Sequence, residues 1–482
     1  MAKTPEEFGY QQINGGPANN VLYDIAYGTD IYGMGGNDVI VAHKDDKYWD
    51  GWFNQYYDDF FNGGSGSDTV TYVLSEKAIT ANLDTNVVYR YSGGAVQSTD
   101  YLNSIENATG SKFDDAIYGS DGANDLRGGN GNDLIYGLAG NDRVWGDGGD
   151  DTLGGGNGDD LIDGGIGNDD IEGAMGNDTL TGASGNDTMH GAGSDDVLKG
   201  GANADELYGE SGDDRLEGGS GNDLLDGGGG TDTVVYTGGI NMTINLVDGT
   251  ATGSWGSDTL VSIEQVYTGS GKDQVQAGDG GTWMSLGAGN DISLGSDDDD
   301  TAYLGSGRDY HYGYGGDDVA YGSTGNDVLY GHDGEDKLYG ESGNDEIWGG
   351  AGDDLLYGST GSDKIRGDDG FDTINGGTGP DLICWGKDDG GVDTIVSFNV
   401  NEDKLWFEHG FFHNDVAGPI NLEDVLDVTD AGPDAILWAD TAEGGWVPIA
   451  AFMNVDANAL SMKIANGSIL PSSTGDLGDL IG

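Results

Sequence analysis

Aspartate recurs every nine residues along much of this chain, each time at the sixth place of a phrase G-[G/x]-x-G-x-D-x-U-x in which U is aliphatic. Over residues 110–235 the phrase repeats fourteen times without insertion or deletion, with Gly always at position 1 and Ile, Leu, Val or Met always at position 8. Its aspartates are Asp115, Asp133, Asp142, Asp151, Asp160, Asp169, Asp178, Asp187, Asp196, Asp205, Asp214, Asp223 and Asp232, the one exception being Asn124. A second array of thirteen copies over residues 268–384 carries Asp273, Asp291, Asp300, Asp309, Asp318, Asp327, Asp336, Asp345, Asp354, Asp363, Asp372 and Asp381, with Thr282 as its exception. Single copies nearer the N-terminus add Asp38 and Asp68. Three positions held in register over so many copies exclude chance.

Carboxylates joined by peptide carbonyls, with no nitrogen or sulfur ligand, suit a hard cation. Many flexible oxygen ligands favour Ca²⁺ over the octahedral, water-retaining Mg²⁺. The expected positioning elements follow from the phrase itself. Glycine tolerates φ > 0 and close backbone approach, so the first half of each copy reads as a tight turn whose carbonyls face a common centre. The last three residues read as a short strand with position 8 turned inward and its neighbours outward. A nonapeptide of this form is the signature of a calcium-binding parallel β-helix.

These residues resemble the RTX repeats of bacterial proteins exported by type I secretion. The resemblance implies that two nonapeptides make one turn of a parallel β-roll. It also implies that Ca²⁺ is held between turn loops of successive coils by the sixth-position Asp and by loop carbonyls. The expected fold class is all-β: two parallel β-rolls with antiparallel strand modules and a C-terminal β capping domain.

Composition limits the partners. Against 87 acidic residues stand 18 basic ones, for a formal charge of −69, which excludes ordinary nucleic-acid binding and disfavours an anionic membrane surface. So much self-repulsion over a thin aliphatic core implies folding coupled to metal. One ion per loop pair would amount to roughly twenty Ca²⁺, cancelling on the order of forty charges. The single cysteine, Cys384, allows no intramolecular disulfide; it falls at an outward position 9 and is expected to be inert. The N-terminal MAKTPEEFGYQQ has no apolar h-region, and nowhere do eighteen apolar residues run together, so neither a Sec signal peptide nor a membrane span is expected.

Six segments are read. Residues 1–62 form an N-terminal cap with imperfect repeats and an aromatic insert, in which Trp49, Trp52, Phe53, Tyr56 and Phe60 would share one face of a capping helix or form an aromatic platform. Residues 63–109 form a first strand module of three or four antiparallel strands, 110–235 the first roll, 236–267 a second strand module and 268–384 the second roll. Both modules contain S-I-E, at 104–106 and 262–264; neither glutamate is given chemistry beyond accepting backbone bonds. Residues 385–482 form a C-terminal capping and type I secretion domain. There VDTIVSFNVNEDKLWF resembles the element that follows the rolls in serralysin-like C-terminal domains, with Ser397 where that family usually has Asp. The ending GDLGDLIG resembles an uncleaved type I secretion signal.

In the second roll position 8 becomes Ser293, Ala302, His311 and Ala320 in succession, so that half is expected to be poorly packed or covered from outside. Position 9 holds Tyr303, Tyr312, Tyr321, Tyr330, Tyr339, Trp348 and Tyr357, expected as two outward ladders, one on each sheet. No H-E-x-x-H or G-x-S-x-G occurs, and no catalytic residue is assigned. The expected protein is a secreted calcium-binding one, at the surface of a Gram-negative bacterium or released from it. Its role is structural, in an S-layer or matrix, with itself, surface polysaccharide and the type I machinery as candidate partners. Two other readings are an adhesin binding carbohydrate through the ladder or through Trp49 and Trp52, and a polysaccharide-active enzyme.

Overall fold

The structure is a computed structural model that describes residues 11–24, 29–42, 47–49, 54–56, 58–92, 94–386, 389–408, 426–431, 434–440, 446–455, 460 and 470–471. All its named elements are strands. The chain divides into two units, Met1–Val235 with Trp255–Ile263 and Tyr236–Ser254 with Glu264–Gly482, so the boundary runs through residues 236–267.

In the first unit each nonapeptide supplies one strand covering positions 7, 8, 9, 1, 2 and 3, as in Leu161–Ile166 and Thr179–Ser184. Strands eighteen residues apart pair in parallel: Leu161 lies beside Thr179, Ile162 beside Leu180 and Asp163 beside Thr181. Alternate copies therefore build two sheets, and two copies close one turn of a β-roll. Position 8 fills the space between the sheets. From Ile117, Leu126 and Ile135 through Leu225 and Val234, every such side chain is at most 1 % exposed. A strand turns alternate side chains to the same face, so position 1 points inward as well.

The first strand module is woven into the roll wall. Val87–Ser92 runs antiparallel between Ile79–Asn82 and Ala95–Asn103. The outer two pair in parallel with roll strands, Ile79–Asn82 with Ala116–Ser120 and Ala95–Asn103 with Phe60–Asn62. A buried ionic group ties this insert to the core. Arg90, 2 % exposed, places Nη2 2.7 Å from Asp100 Oδ2 and 3.7 Å from Asp59. Tyr72 donates its hydroxyl to the same Asp100 oxygen at 2.8 Å, and its ring lies under the guanidinium.

The described segments among residues 47–62 hold strands and not the expected capping helix. Lys47–Trp49 and Asn54–Tyr56 make a two-stranded antiparallel hairpin, and Phe60–Asn62 joins the roll beside Thr29–Tyr32. Aromatic residues suit strands as well as helices, and a neighbouring strand for Phe60 and Phe61 decides the matter.

The second unit repeats the roll from Gln274–Gln276 to Leu382–Trp385. Its weak first half is not displaced outward: Ser293, Ala302, His311 and Ala320 are all fully buried. Leucine at position 1, Leu286 and Leu304, also fully buried, supplies the volume that position 8 lost. The His311 Nδ1 is 3.2 Å from Ser293 Oγ, and burial lowers its pKa to about 4, so the imidazole is neutral. Cys384 is covered, at 1 % exposure, rather than outward, and burial pushes its thiol up to about 12, which makes it unreactive. Beyond the array Leu426–Asp430, Ala435–Asp440 and Trp446–Phe452 form an antiparallel sheet, whose last strand pairs in parallel with Asp393–Val396. The terminal GDLGDLIG lies outside the described residues.

Candidate metal sites

The sixth-position aspartates stand in columns, one member per turn. The backbone N–H of Asp133 donates to Asp151 Oδ1 at 2.7 Å, Asp151 to Asp169 at 2.9 Å and Asp169 to Asp187 at 2.9 Å. The alternate copies do the same, Asp142 to Asp160 and Asp160 to Asp178, each at 2.7 Å. The second unit has matching columns, with Asp291 to Asp309 at 2.7 Å and Asp318 to Asp336 at 2.8 Å. All the sequence-assigned aspartates are at most 3 % exposed.

One carboxylate oxygen is thus satisfied and the other is not. Oδ2 of Asp133, Asp142, Asp151 and each following member to Asp223 is buried with no hydrogen-bond donor, and so is Oδ2 of Asp318, Asp327 and each following member to Asp381. An ionised oxygen in that state is costly. Burial accordingly raises these carboxyls from 3.8, to about 8 for Asp133 and Asp354 and about 7 for Asp169, Asp178 and Asp327.

The first-position glycine has a different role from the one its turn chemistry suggested. Left-handed φ occurs at positions 2 and 4, as at Gly165 and Gly167, but not at Gly137, Gly146 or Gly155. At Gly137 a side chain would stand on Asp142 Oδ2 and 2.7 Å from the carbonyl oxygen of Gly155, one turn on. Gly146 repeats this with Asp151 Oδ2 and Gly164 O, and Gly349 with Asp354 Oδ2 and Gly367 O. The glycine is needed because a carboxylate oxygen and a carbonyl oxygen share the space of its missing Cβ. Among the described residues no three acidic, histidine or cysteine side chains converge, so a cation here would draw on column carboxylates and peptide carbonyls. That oxygen-only set fits Ca²⁺.

Several column members escaped the nonapeptide count because they lie outside it. Asp223 N–H donates to Asp258 at 3.1 Å, Asp372 to Asp393 at 3.3 Å and Asp381 to Asp403 at 3.1 Å. Position 5 also went unread. Its Asn or Asp side chain accepts from the next turn: Asn132 N–H donates to Asp114 at 2.9 Å, and Asp150 to Asn132 at 3.1 Å. The frequency of Asn and Asp at position 5 was the available signal.

Both exceptions at position 6 have reasons. Thr282 Oγ1 accepts from Gly278 N–H at 3.1 Å, standing in for a carboxylate. Asn124 Nδ2 donates to the carbonyl of Glu106 at 2.5 Å. Asn124→Asp would set a carboxylate oxygen against that carbonyl, and it is expected to destabilise the first unit by about 1–3 kcal/mol. Urea unfolding in saturating calcium reads this, and the loss should shrink in acid, where the new side chain can donate; no midpoint change would refute it.

The position-9 aromatics stack along each sheet of the second unit. Tyr303, Tyr321, Tyr339 and Tyr357 form one row, with ring centroids 4.7, 4.9 and 5.3 Å apart and planes within 18° of parallel. Trp283, at position 7, extends it beside Tyr303. Tyr312, Tyr330 and Trp348 form the other row, at 5.2 and 4.6 Å, ending under the Lys364 ammonium. Trp49 lies in the hairpin strand Lys47–Trp49, while Trp52 lies outside the described residues.

A family model for the RTX calcium-binding nonapeptide repeat (4 copies) matches residues 56–71, 118–153, 145–180, 172–207, 181–216, 208–242, 285–318, 312–347 and 348–383. No curated protein matches the chain. Among solved structures, the extracellular lipase LipA from Serratia marcescens is similar at 17 % identity over 59 % of this chain and 40 % of its own, with a TM-score of 0.17. The chain thus spans less than half the lipase's length. A hyperactive, Ca²⁺-dependent, β-helical antifreeze protein from an Antarctic bacterium is similar at 18 % identity over 72 % of this chain and 86 % of its own, with a TM-score of 0.24.

Proposed function

Because the chain belongs to the RTX calcium-binding nonapeptide repeat proteins, we propose that it is a secreted, non-enzymatic protein that folds on Ca²⁺ outside the cell. In this reading it serves as a structural component of a Gram-negative cell surface, in an S-layer or matrix, and leaves the cell by a type I system. One observation carries the reading: the columns of buried carboxylate oxygens without donors run through the rolls of both units. Calcium is what would make such columns favourable. Cytosolic calcium lies far below the roughly 10⁻⁴–10⁻³ M at which extracellular modules bind, so the chain would stay unfolded until export.

The aromatic rows favour a structural role over sugar binding. A sugar stacks on a ring face, and in rows spaced at 4.6 to 5.3 Å the interior faces are already covered by neighbouring rings. Such face-to-face rows support cross-strand stability along each sheet.

The test is a calcium titration of the purified chain followed by circular dichroism, with electron microscopy of the same samples. A disorder-to-β transition that leads to sheets or filaments is expected. Folding to a discrete monomer would keep calcium binding and overturn the surface-layer role.

A further inference from the structure

The calcium column of the first unit is interrupted by the strand module, yet its geometry is not. In a regular repeat the cradle at a first-position glycine holds the Asp Oδ2 of its own copy and the carbonyl of the first-position glycine one turn on. The Asp N–H then donates to the next Asp Oδ1. After Asp68 there is no nonapeptide one turn on, because residues 76–103 intervene.

The S-I-E triplet supplies both missing groups. A side chain at Gly63 would stand on Asp68 Oδ2 and on the carbonyl oxygen of Ser104. The Asp68 N–H donates to Glu106 Oε2 at 2.9 Å. Ser104 thus takes the place of the first-position glycine, and Glu106 that of the sixth-position aspartate. They lie two positions apart instead of five, and the extra methylene of glutamate makes up part of the reach. Ser104 adopts φ +51°, a strained value for a non-glycine residue, which points its carbonyl into the cradle. Asp68 is fully buried, and its Oδ2 has no hydrogen-bond donor.

The first half of the arrangement recurs. Ser262, in the second S-I-E, has φ +51° too, and its carbonyl oxygen meets the Cβ space of Gly227 together with Asp232 Oδ2. Asn124 also fits this account. It is the column member after Glu106 and the one copy of fourteen without a carboxylate at its sixth position, so charge is placed at 106 and withheld at 124.

The geometry points to a calcium site outside the repeat consensus, formed by Asp68, the Ser104 carbonyl and Glu106, which carries the ion column across the insert. It rests on the calcium reading proposed above. Its consequence is that folding of the three-stranded insert is itself calcium-dependent, so the roll strands before and after it close together.

The test follows amide hydrogen exchange of the full chain as calcium is titrated, in the parent protein, Glu106→Gln and Glu335→Gln. Glutamine keeps an acceptor for the Asp68 N–H but removes the charge. In Glu106→Gln the calcium midpoint for protection of residues 63–109 is expected to rise about ten-fold, with residues 146–235 unchanged. Glu335→Gln, an exposed position-5 change in the second unit, is expected to leave both midpoints alone. An unshifted midpoint at 63–109 would overturn the site. So would protection lost in Glu106→Gln that saturating calcium does not restore, since Glu106 would then be only a structural bond. Protection in the parent that ignores calcium everywhere would instead defeat the calcium reading itself.

Discussion

Stripped of calcium, the chain is expected to be most ordered in mild acid and to lose its β signal as pH rises through about 6 to 8. The column carboxyls carry this effect. Burial raises Asp142 and Asp151 to about 6, Asp169 and Asp178 to about 7 and Asp133 to about 8, against 3.8 in the unfolded chain. Between those values the folded state binds more protons than the unfolded one, so unfolding becomes easier as pH increases. The contribution is present in full below about 3.8 and is lost as pH passes each raised value. Calcium reverses the order. It replaces the proton at the buried oxygen, so its affinity grows as pH rises, and each ion adds about 1.4 kcal/mol when present at ten times its Kd. Circular dichroism across pH, with chelator and with millimolar calcium, reads both arms. A chelated chain more ordered at pH 8 than at pH 5 would show that these oxygens are not buried as described.

Gly185→Ala is expected to cost at least about 3 kcal/mol, and Gly165→Ala only about 1. Both glycines have positive φ and both face a carbonyl oxygen of the previous turn, but they differ in escape. Gly165 occupies position 2, where Ala174 and Ala183 already adopt φ 84° and 75°, so a modest change of backbone accommodates a methyl group. Gly185 occupies position 4 at φ 139°, and its Cβ would stand on the backbone oxygen of Gly167. At Ser194 and Asn203, two non-glycine residues at position 4 of the same roll, φ retreats to 84° and 85°. Gly185 would have to move in the same way, and its neighbours in the column with it. Urea midpoints in saturating calcium compare the two variants; equal shifts would show that the position-4 backbone yields more easily than its close carbonyl packing implies.

The second roll shows how far a linear pattern carries. Ser293, Ala302, His311 and Ala320 break the aliphatic rule at position 8, and from the sequence that half looked poorly packed or covered from outside. In three dimensions Leu286 and Leu304, at the position that is glycine throughout the first roll, fill the same layer. Position 1 and position 8 face one core in a strand, so volume can pass between them, and a rule applied to each position separately misses that exchange.

What the amino-acid order determined by itself is everything that repeats. The inward position 8, the sixth-position aspartates and the aromatic residues at position 9 each recur with the phrase, and the resemblance to RTX repeats added the two-copy turn that sets like beside like eighteen residues away. Tertiary structure alone decided the places where that neighbour is missing. The partner of Asp68 is Glu106, thirty-eight residues on, and that of Asp223 is Asp258, thirty-five on, separations set by how an insert folds back and not by any period. The hairpin at Lys47–Trp49 and the buried Arg90, Asp100 and Tyr72 group are of the same kind. Their partners lie beyond the repeat, and only closure of the chain on itself brings those groups within bonding distance.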